Sequence, residues 1–346
     1  MAQLPTVIDV GRIAGVSRQT VSNVLNAPEL VKPETRARVE AAIAELGYRP
    51  HASARRLRTR KSSTIGIRLD PMTNGISGSV LDRFLHALTE QADARDLRVL
   101  LFTALDPAGE IEQFRKLRDG ADVDAFVLTS TFHGDRRTEW LIENRLPFVT
   151  FGRPWGIDDI NDPDHLWVDV DGYAGVYEAT SYLIANGARR VAYIGWPSPS
   201  GTGDDRQRGW AEAVESQLGL GADIRVALSR AVVDGVAAGQ GAAASLLSGR
   251  EGIDAIVCAS DSLAVGARMA VVAHGASSLP IIGYDNTPVA EALGISSVEQ
   301  PLAEVAAGVL ELLMGRDGSD VAPLDRAPND PSHRLITPRL VIRQPS

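Results

Sequence analysis

The 346-residue sequence predicts two unlike parts: a small all-α helix-turn-helix head and an α/β body made of two parallel-sheet subdomains. Three observations carry that prediction. Charge is divided: residues 1–64 hold 11 Lys+Arg and 5 Asp+Glu, the remainder 24 and 39, so a chain of formal net charge −9 joins a basic head to an acidic body. Apolar residues within the first fifty positions recur at three- and four-residue intervals. From Thr64 onward, short β-rich apolar runs alternate with amphipathic segments, the pattern of parallel strands joined by crossover helices. The boundaries that follow are 1–50 for the head, 51–63 for a hinge helix and linker, and 64–346 for the body. A composition of 44% hydrophobic and 23% charged residues excludes disordered and collagen-like classes. The single cysteine, Cys258, excludes a disulfide framework and lies in an apolar run, as a buried strand residue.

In the head, Thr6-Val7-Ile8-Asp9 has the form of a capping box with Asp in place of Glu, and Val7, Val10 and Ala14 share one face. The first helix therefore starts at Thr6. It ends at Ala14-Gly15-Val16, where Gly supplies a left-handed turn, and Ser17 caps a second helix running to about Asn26. Val21, Val24 and Leu25 form the inward stripe of that helix. Arg18, Gln19, Ser22, Asn23 and Asn26 face outward with no acid among them, and Arg and Gln near a helix N-terminus can make paired hydrogen bonds to guanine and adenine edges. A third helix, Pro33 to Leu46, closes the core through Val39, Ile43 and Leu46. A polar bundle with a merely solvated face would show the same pattern. The next segment separates the two readings: Arg55, Arg56, Arg58, Arg60 and Lys61 put five cations in seven residues, a run expected to fold only against phosphates. Leu57, one turn after Ala54, suits an apolar wedge pushed between base steps in a minor groove.

Thr6-Val7-Ile8-Asp9-Val10, Ala14-Gly15-Val16-Ser17, Gln19-Thr20-Val21-Ser22, Val24-Leu25-Asn26, Thr35-Arg36 and Leu46-Gly47-Tyr48-Arg49-Pro50 resemble the head of the LacI/GalR family of bacterial transcription regulators. The resemblance implies that the second helix enters the major groove, with Arg18, Gln19 and Asn23 reading bases. Thr6, Ser17, Thr20, Ser22, Asn26 and Tyr48 are the other DNA contacts it implies in the head. In the hinge it implies Arg55, Arg56 and Arg58, with Ala54 and Leu57 at the central step of the operator. Three departures stand out. Asn23 replaces a frequent Arg and changes the base preference, while Gly11 in place of Ala and Lys32 in place of a Ser cap weaken two helices without altering topology.

In the body, Ile65–Leu69, Val99–Thr103, Ala125–Thr129, Pro147–Phe151, Val168–Val170, Val191–Ile194, Ala255–Ala259 and Ile281–Tyr284 read as strands, too many for one sheet. Val80–Ala94 and Gly175–Ala185 read as helices. Open α/β folds hold ligands at the carboxyl ends of their strands, which singles out Arg153 and Trp155, Trp196, Ser260 and Asp261, and Asp285. Arg206 falls just before a helix expected to begin near Gly209-Trp210. Carboxylates and Arg pair with vicinal hydroxyls, and an indole covers the C–H face of a pyranose, so this mixture suits a carbohydrate.

Val168-Asp169-Val170-Asp171, Arg206-x-x-Gly209, Ser260-Asp261-Ser262-Leu263-Ala264-Val265-Gly266, Gly283-Tyr284-Asp285 and Ser297-Val298-x-Gln300-Pro301 resemble the effector domain of the same family, which is similar to periplasmic sugar-binding proteins. That likeness implies that Arg206 and Asp285 hold the effector's hydroxyls, with Ser260, Asp261 and Gln300 nearby. Gly152-Arg153-Pro154-Trp155-Gly156 and Gly195-Trp196-Pro197 further resemble actinobacterial members that answer cellobiose and other plant-glucan oligosaccharides, with Trp155 and Trp196 as sugar platforms. The expectation is a homodimeric repressor of a pseudo-palindromic double-stranded operator, released by a small carbohydrate. It is expected to be cytoplasmic and nucleoid-associated, with no membrane partner, cofactor or metal, since no His or Cys pair has ligand spacing. Two other readings stay open. One is a corepressor-type regulator tightened on DNA by a purine or phosphorylated metabolite; the other is a carbohydrate-processing enzyme using Asp261 and Asp285 as acid and base.

Overall fold

The computed structural model describes residues 5–48, 61–70, 75–76, 78–156, 160–249, 252–314 and 332–343, the side chain of Asn26 excepted. Ala54, Arg55, Arg56, Leu57 and Arg58 lie outside the described residues, as do Asp158 and Asp159. The chain divides into two compact units, Met1–Ser62 and Ser63–Ser346.

In the first unit, α1 (Val7–Ala14), α2 (Arg18–Asn26) and α3 (Pro33–Leu46) surround a core of Val10, Ala14, Val21, Val24, Val39, Ala42 and Tyr48. An eight-residue helix is marginal alone, so both ends of α1 are tied. The Thr6 N–H donates to Asp9 Oδ2 at 2.9 Å and the Asp9 N–H to Thr6 Oγ1 at 3.4 Å, completing the capping box. Gly15, at φ 65°, ends the helix in the left-handed region. Ser17 Oγ accepts the Thr20 N–H at 3.1 Å and starts α2. Lys32 caps α3 with no side-chain bond, and Pro33 at the first position presets its turn instead. Gly11 is more than a weakened helix position. It is buried at the α1–α2 turn, where a Cβ would come within 2.9 Å of the Val16 carbonyl oxygen, so the missing methyl fits the tight crossing.

The second unit holds two six-stranded sheets. The first contains β1 (Thr64–Arg68), β2 (Arg98–Phe102), β3 (Ala125–Leu128), β4 (Phe148–Phe151), β5 (Leu166–Val170) and β11 (His333–Ile336), in the order β11-β5-β4-β3-β1-β2, all parallel. The second contains β6 (Val191–Gly195), β7 (Ser229–Ala231), β8 (Ala255–Cys258), β9 (Ile281–Tyr284), β10 (Ser296–Glu299) and β12 (Arg339–Val341), in the order β12-β10-β9-β8-β6-β7, with β12 antiparallel to β10. Strands β7, β10, β11 and β12 escape the apolar-run criterion because they are three or four residues long and largely polar or at a sheet edge.

Helices α4 (Gly78–Asp93), α5 (Pro107–Asp119) and α6 (Arg136–Glu143) follow strands of the first lobe. In the second lobe lie α7 (Gly172–Ala185), α8 (Thr202–Leu218), α9 (Ala222–Leu228), α10 (Val236–Leu247), α11 (Asp261–Ala273) and α12 (Pro288–Ala292). The last helix, α13 (Leu302–Met314), returns to the first lobe, where Val305, Val309 and Leu313 join Ile65, Phe84 and Leu88 in one core. The chain thus passes between lobes after β5, after β10 and after β11, and these three strands of backbone frame the cleft between them. Helix α8 starts at Thr202, two turns earlier than the sequence predicts, which puts Arg206 inside the helix. Gly201-Thr202-Gly203-Asp204-Asp205 has loop-like composition, but Asp204 accepts the Ser200 N–H at 2.9 Å, and two acids in the first turn favour the positive end of the helix dipole.

Candidate functional site: an interlobe cleft and an exposed recognition-type helix

The β1–β3 and β6–β8 pairs are the places where each sheet's strand order reverses, and the carboxyl ends of β1 and β3 face a cavity of about 620 Å³. The first lobe lines it with Leu69 and Asp70 after β1, Thr129, Ser130 and Thr131 after β3, Phe151 and Gly152 after β4, Asp169 and Val170 at the end of β5, and one face of α4. The second lobe contributes Thr202 and Arg206 from α8, and Gln300 lies where the chain crosses back.

Arg206 is 5% exposed and held on three sides. One guanidinium nitrogen, Nη1, donates to the Ala259 carbonyl at 2.5 Å, Nη2 lies 4.0 Å from Asp285 Oδ1, and the guanidinium carbon sits 3.5 Å from the Tyr284 ring centroid and 5.3 Å from that of Trp196. Gln300 Nε2 donates to Asp285 Oδ1 at 2.7 Å. Burial pushes the Asp285 carboxyl up to about 7 against the pull of Arg206. The Asp285 backbone has φ 108°, and Asn286 follows at φ 47°; conformations of this kind in non-glycine residues cost on the order of 1–3 kcal/mol and cluster at binding sites. Asp169 is 7% exposed and its carboxyl is likewise raised by burial, against the attraction of Arg153, whose Nε donates to it at 2.7 Å.

Among the described residues that line this cavity, two buried polar atoms make no hydrogen bond within the chain: Arg206 Nε and Thr129 Oγ1. Buried polar groups are normally paired, so such atoms are the feature of a site that expects polar contacts from a ligand. Behind the wall, Arg137, 1% exposed, pairs with Asp135 and Glu110 and donates to the carbonyls of Thr129 and Ser130, each at 3.2 Å. That network holds the first-lobe loop in place.

Of the residues picked from the sequence, Arg206 and Gln300 line the cleft, and Asp285 sits against both of them without being among the lining residues. The others take supporting positions. Arg153 bridges the lobes, from Asp169 in the first to Asp205 on α8 at 2.5 Å. Trp155, half-buried, stacks under the Arg153 guanidinium at 4.7 Å and covers Gly201, while Trp196 packs on Gly203 and donates through Nε1 to Asp234 at 3.3 Å. Neither indole is among the residues lining the cavity. Ser260 caps α11 at the Leu263 N–H and hydrogen-bonds Asp234. Asp261 is wholly buried, accepting the Thr287 N–H at 2.7 Å and the Ser297 hydroxyl at 2.6 Å, so one oxygen ties the loop after β9 to α11 and the other ties β10 to it. Asp70, Thr129, Ser130 and Asp169 were missed. All four follow or end a strand and satisfy the rule that selected Asp285; Ser79 and Leu81 on α4 carried no local signal.

In the head, Arg18 and Gln19 are exposed on α2, with Ser22 and Asn23 half-exposed beside them. Gln19 Nε2 donates to Asn23 Oδ1 at 3.0 Å. Thr6, Ser17 and Thr20 stand at the two helix starts, Ser17 and Thr20 sharing a hydroxyl pair at 2.9 Å. Tyr48 is 5% exposed, and its ring belongs to the head's core. Among the described residues no helix is long and apolar enough to cross a membrane, and no group of His, Cys, Asp and Glu has the arrangement of a metal site.

A helix-turn-helix unit followed by a two-lobed α/β body with a polar cleft defines a ligand-responsive transcription regulator. The model of bacterial regulatory proteins of the lacI family matches residues 6–51, and that of a periplasmic binding protein-like domain matches residues 180–346. The HTH-type transcriptional regulator CelR of Thermobifida fusca is 32% identical over 323 residues, spanning 90% of this chain and 92% of that protein. A LacI-family regulatory protein from Chloroflexus aggregans, 32% identical, superposes with a TM-score of 0.72 over 81% of this chain and 97% of its own. A solved CelR–cellobiose complex, 27% identical, superposes at 0.69 over 98% and 99%. The chain belongs to the LacI family of bacterial regulatory proteins.

Proposed function

We propose that the protein is a homodimeric repressor that binds a pseudo-palindromic operator through α2 and the basic hinge segment, and that a small plant-derived carbohydrate of the cellobiose kind releases it. The observation that carries the effector half is the cleft wall: Arg206 and Gln300 line a cavity of about 620 Å³ and both meet the buried Asp285 carboxyl, while Arg206 Nε and Thr129 Oγ1 are buried there without a hydrogen-bond partner. Vicinal hydroxyls satisfy such atoms as both donor and acceptor. The reported cellobiose complex of a relative 27% identical over nearly the whole chain supports the same ligand class. Sugar that bridges Arg206 and Asp285 in one lobe to Asp169 and Ser130 in the other favours the closed arrangement, and a few kcal/mol of differential affinity, about 1–3, makes a useful switch.

The corepressor reading has less support. Arg206, which lines the cavity, already shares its guanidinium between the Ala259 carbonyl and Asp285, which leaves little positive charge for a phosphorylated effector. An enzymatic reading that employs Asp261 meets the difficulty that both its oxygens are committed to the protein. The test is an operator fragment held by the full-length protein and titrated with cellobiose and longer cello-oligosaccharides. Release is the expected result, and tightening would sink the proposal in favour of the corepressor reading. In the same assay Asp285→Ala should hold operator as the parent does and no longer respond to sugar.

A further inference from the structure

Arg83 stands on α4, one residue beyond the stretch Ser79–Asp82 that lines the cavity, and it reaches the other lobe. Its Nη1 donates to two consecutive carbonyls, those of Asp285 at 3.3 Å and Asn286 at 3.0 Å, and its Nη2 lies 3.9 Å from Glu299 Oε1 on β10. Those carbonyls belong to the two residues with φ of 108° and 47°, a pair of left-handed positions without a glycine. Such a turn persists only where its surroundings over-determine it. Its tethers within the second lobe are the Asp285 N–H to the Val298 carbonyl at 2.8 Å, the Asn286 N–H to Ser297 Oγ at 2.9 Å, the Thr287 N–H to Asp261 Oδ2 at 2.7 Å, and the Asn286 side chain to Arg343 at 2.5 Å. Amides and one side chain are thus fixed from within the lobe, and the two carbonyls are fixed from across the cleft.

We propose that Arg83 is a positioning residue for the effector site: from the first lobe it holds the Asp285–Asn286 turn in the conformation that presents the Asp285 carboxyl to Arg206 and Gln300 at the edge of the cleft. The inference rests on the reading that Asp285 engages the effector. The guanidinium can reach both carbonyls only while α4 and the β9–α12 turn keep their present separation, so the aim of Asp285 and the lobe arrangement are one variable. A ligand bound at Asp285 then favours that arrangement through Arg83 as well as through its own contacts, and weakening Arg83 lowers effector affinity without touching a group that contacts the effector. Both hydrogen bonds come from the one nitrogen Nη1, so a lysine ammonium can replace part of them, while the reach of Nη2 toward Glu299 belongs to the guanidinium.

The experiment uses the full-length chain with Arg83→Ala and Arg83→Lys. Amide hydrogen exchange is followed without sugar over residues 284–298, cellobiose affinity is measured by calorimetry, and the apo melting temperature is recorded. In Arg83→Ala, exchange at Asn286 and Thr287 should accelerate about tenfold, with β8 and α11 unchanged, as expected for a local opening. Cellobiose affinity should fall about tenfold, which is about 1.4 kcal/mol. Arg83→Lys should recover part of both losses, and the apo melting temperature should stay close to the parent's. Unchanged exchange and unchanged affinity in Arg83→Ala would overturn the proposal. So would an equal loss in both variants accompanied by a fall in melting temperature, the behaviour of a general packing contact. If the parent chain itself does not bind cellobiose while exchange still quickens in Arg83→Ala, the choice of sugar is refuted and the clamp on the Asp285 turn is upheld.

Discussion

At the scale of single residues, Asp285 concentrates the chemistry of the body. An unfolded aspartate titrates near 3.9, and burial lifts the folded carboxyl to about 7, so the folded state binds the extra proton between those values. Stability therefore falls as pH rises from about 4 to 7 and stays reduced above. Asp285→Asn, which keeps the shape and removes the charge, should stabilise the sugar-free protein at pH 8 by about 2–4 kcal/mol, a gain that shrinks to nothing below pH 4; denaturant melts at several pH values check it. Hydroxyls donating to the carboxylate favour its charged form, so sugar binding should release protons near neutrality. Affinity for cellobiose should accordingly rise from pH 6 to pH 8 and then level, with calorimetry in buffers of differing ionisation enthalpy reporting the proton count. A flat profile would mean that the effector does not engage Asp285.

At the scale of elements, two close approaches decide how the pieces fit. Helices α10 and α11 cross backbone to backbone: a Cβ on Gly266 would lie 2.1 Å from the Val236 carbonyl oxygen, and one on Gly239 would lie 2.5 Å from that of Leu263. Gly266→Ala should destabilise the body by at least about 1–3 kcal/mol in urea unfolding, the usual cost of overpacking, because the colliding atom is backbone and cannot rotate away. In the head, Thr6→Ala removes the hydroxyl half of the capping box and should cost about 1 kcal/mol. Leu57→Ala in the hinge should weaken operator binding while sparing nonspecific, salt-sensitive binding; equal loss of both would sink the wedge assignment.

Element recognition from sequence succeeded where the local signal was strong. Thr6-x-x-Asp9 and Ser17 mark helix starts whose hydrogen bonds are both present, and every strand written as an apolar β-rich run is a strand. It failed at β10 and β11, where Ser296–Glu299 and His333–Ile336 are held by neighbours rather than by their own hydrophobicity. It also failed at the start of α8, where glycines and acids disguised a first turn stabilised by capping contacts and the helix dipole. Trp155 and Trp196, expected from the resemblance as sugar platforms, have packing that no local pattern announces. Both indoles follow strands, and each packs on a glycine at the start of α8, Trp155 on the capping Gly201 and Trp196 on Gly203 in the first turn, a fact visible only in three dimensions.

For the molecule as a whole, the charge division decides which surface meets a polyanion. The cations of the first 64 residues belong to the head and hinge, and the acidic body repels phosphate, so operator affinity should fall steeply as salt rises from 50 to 200 mM, by about 10³ or more if six phosphates are neutralised. A ligand that binds only the folded cleft stabilises the body by mass action, so a hundredfold excess of cellobiose over its dissociation constant should add about 2.7 kcal/mol to the body's unfolding and nothing to the head's, as calorimetric scans would resolve.

The sequence by itself determined the order of parts, the helices of the head and the apolar strands of both lobes, because capping and periodicity are written in residues close together in the chain. Only the tertiary structure decided which strand ends share a cavity, that Asp261 is spent on Thr287 and Ser297, that Arg153 ties one lobe to the other, and that Arg83 grips a turn some two hundred residues away. Those contacts join groups whose separation along the chain exceeds the reach of any local pattern. Desolvation, hydrogen-bond pairing and the raised carboxyl of Asp285 come into being when three crossings of the chain bring the two lobes face to face.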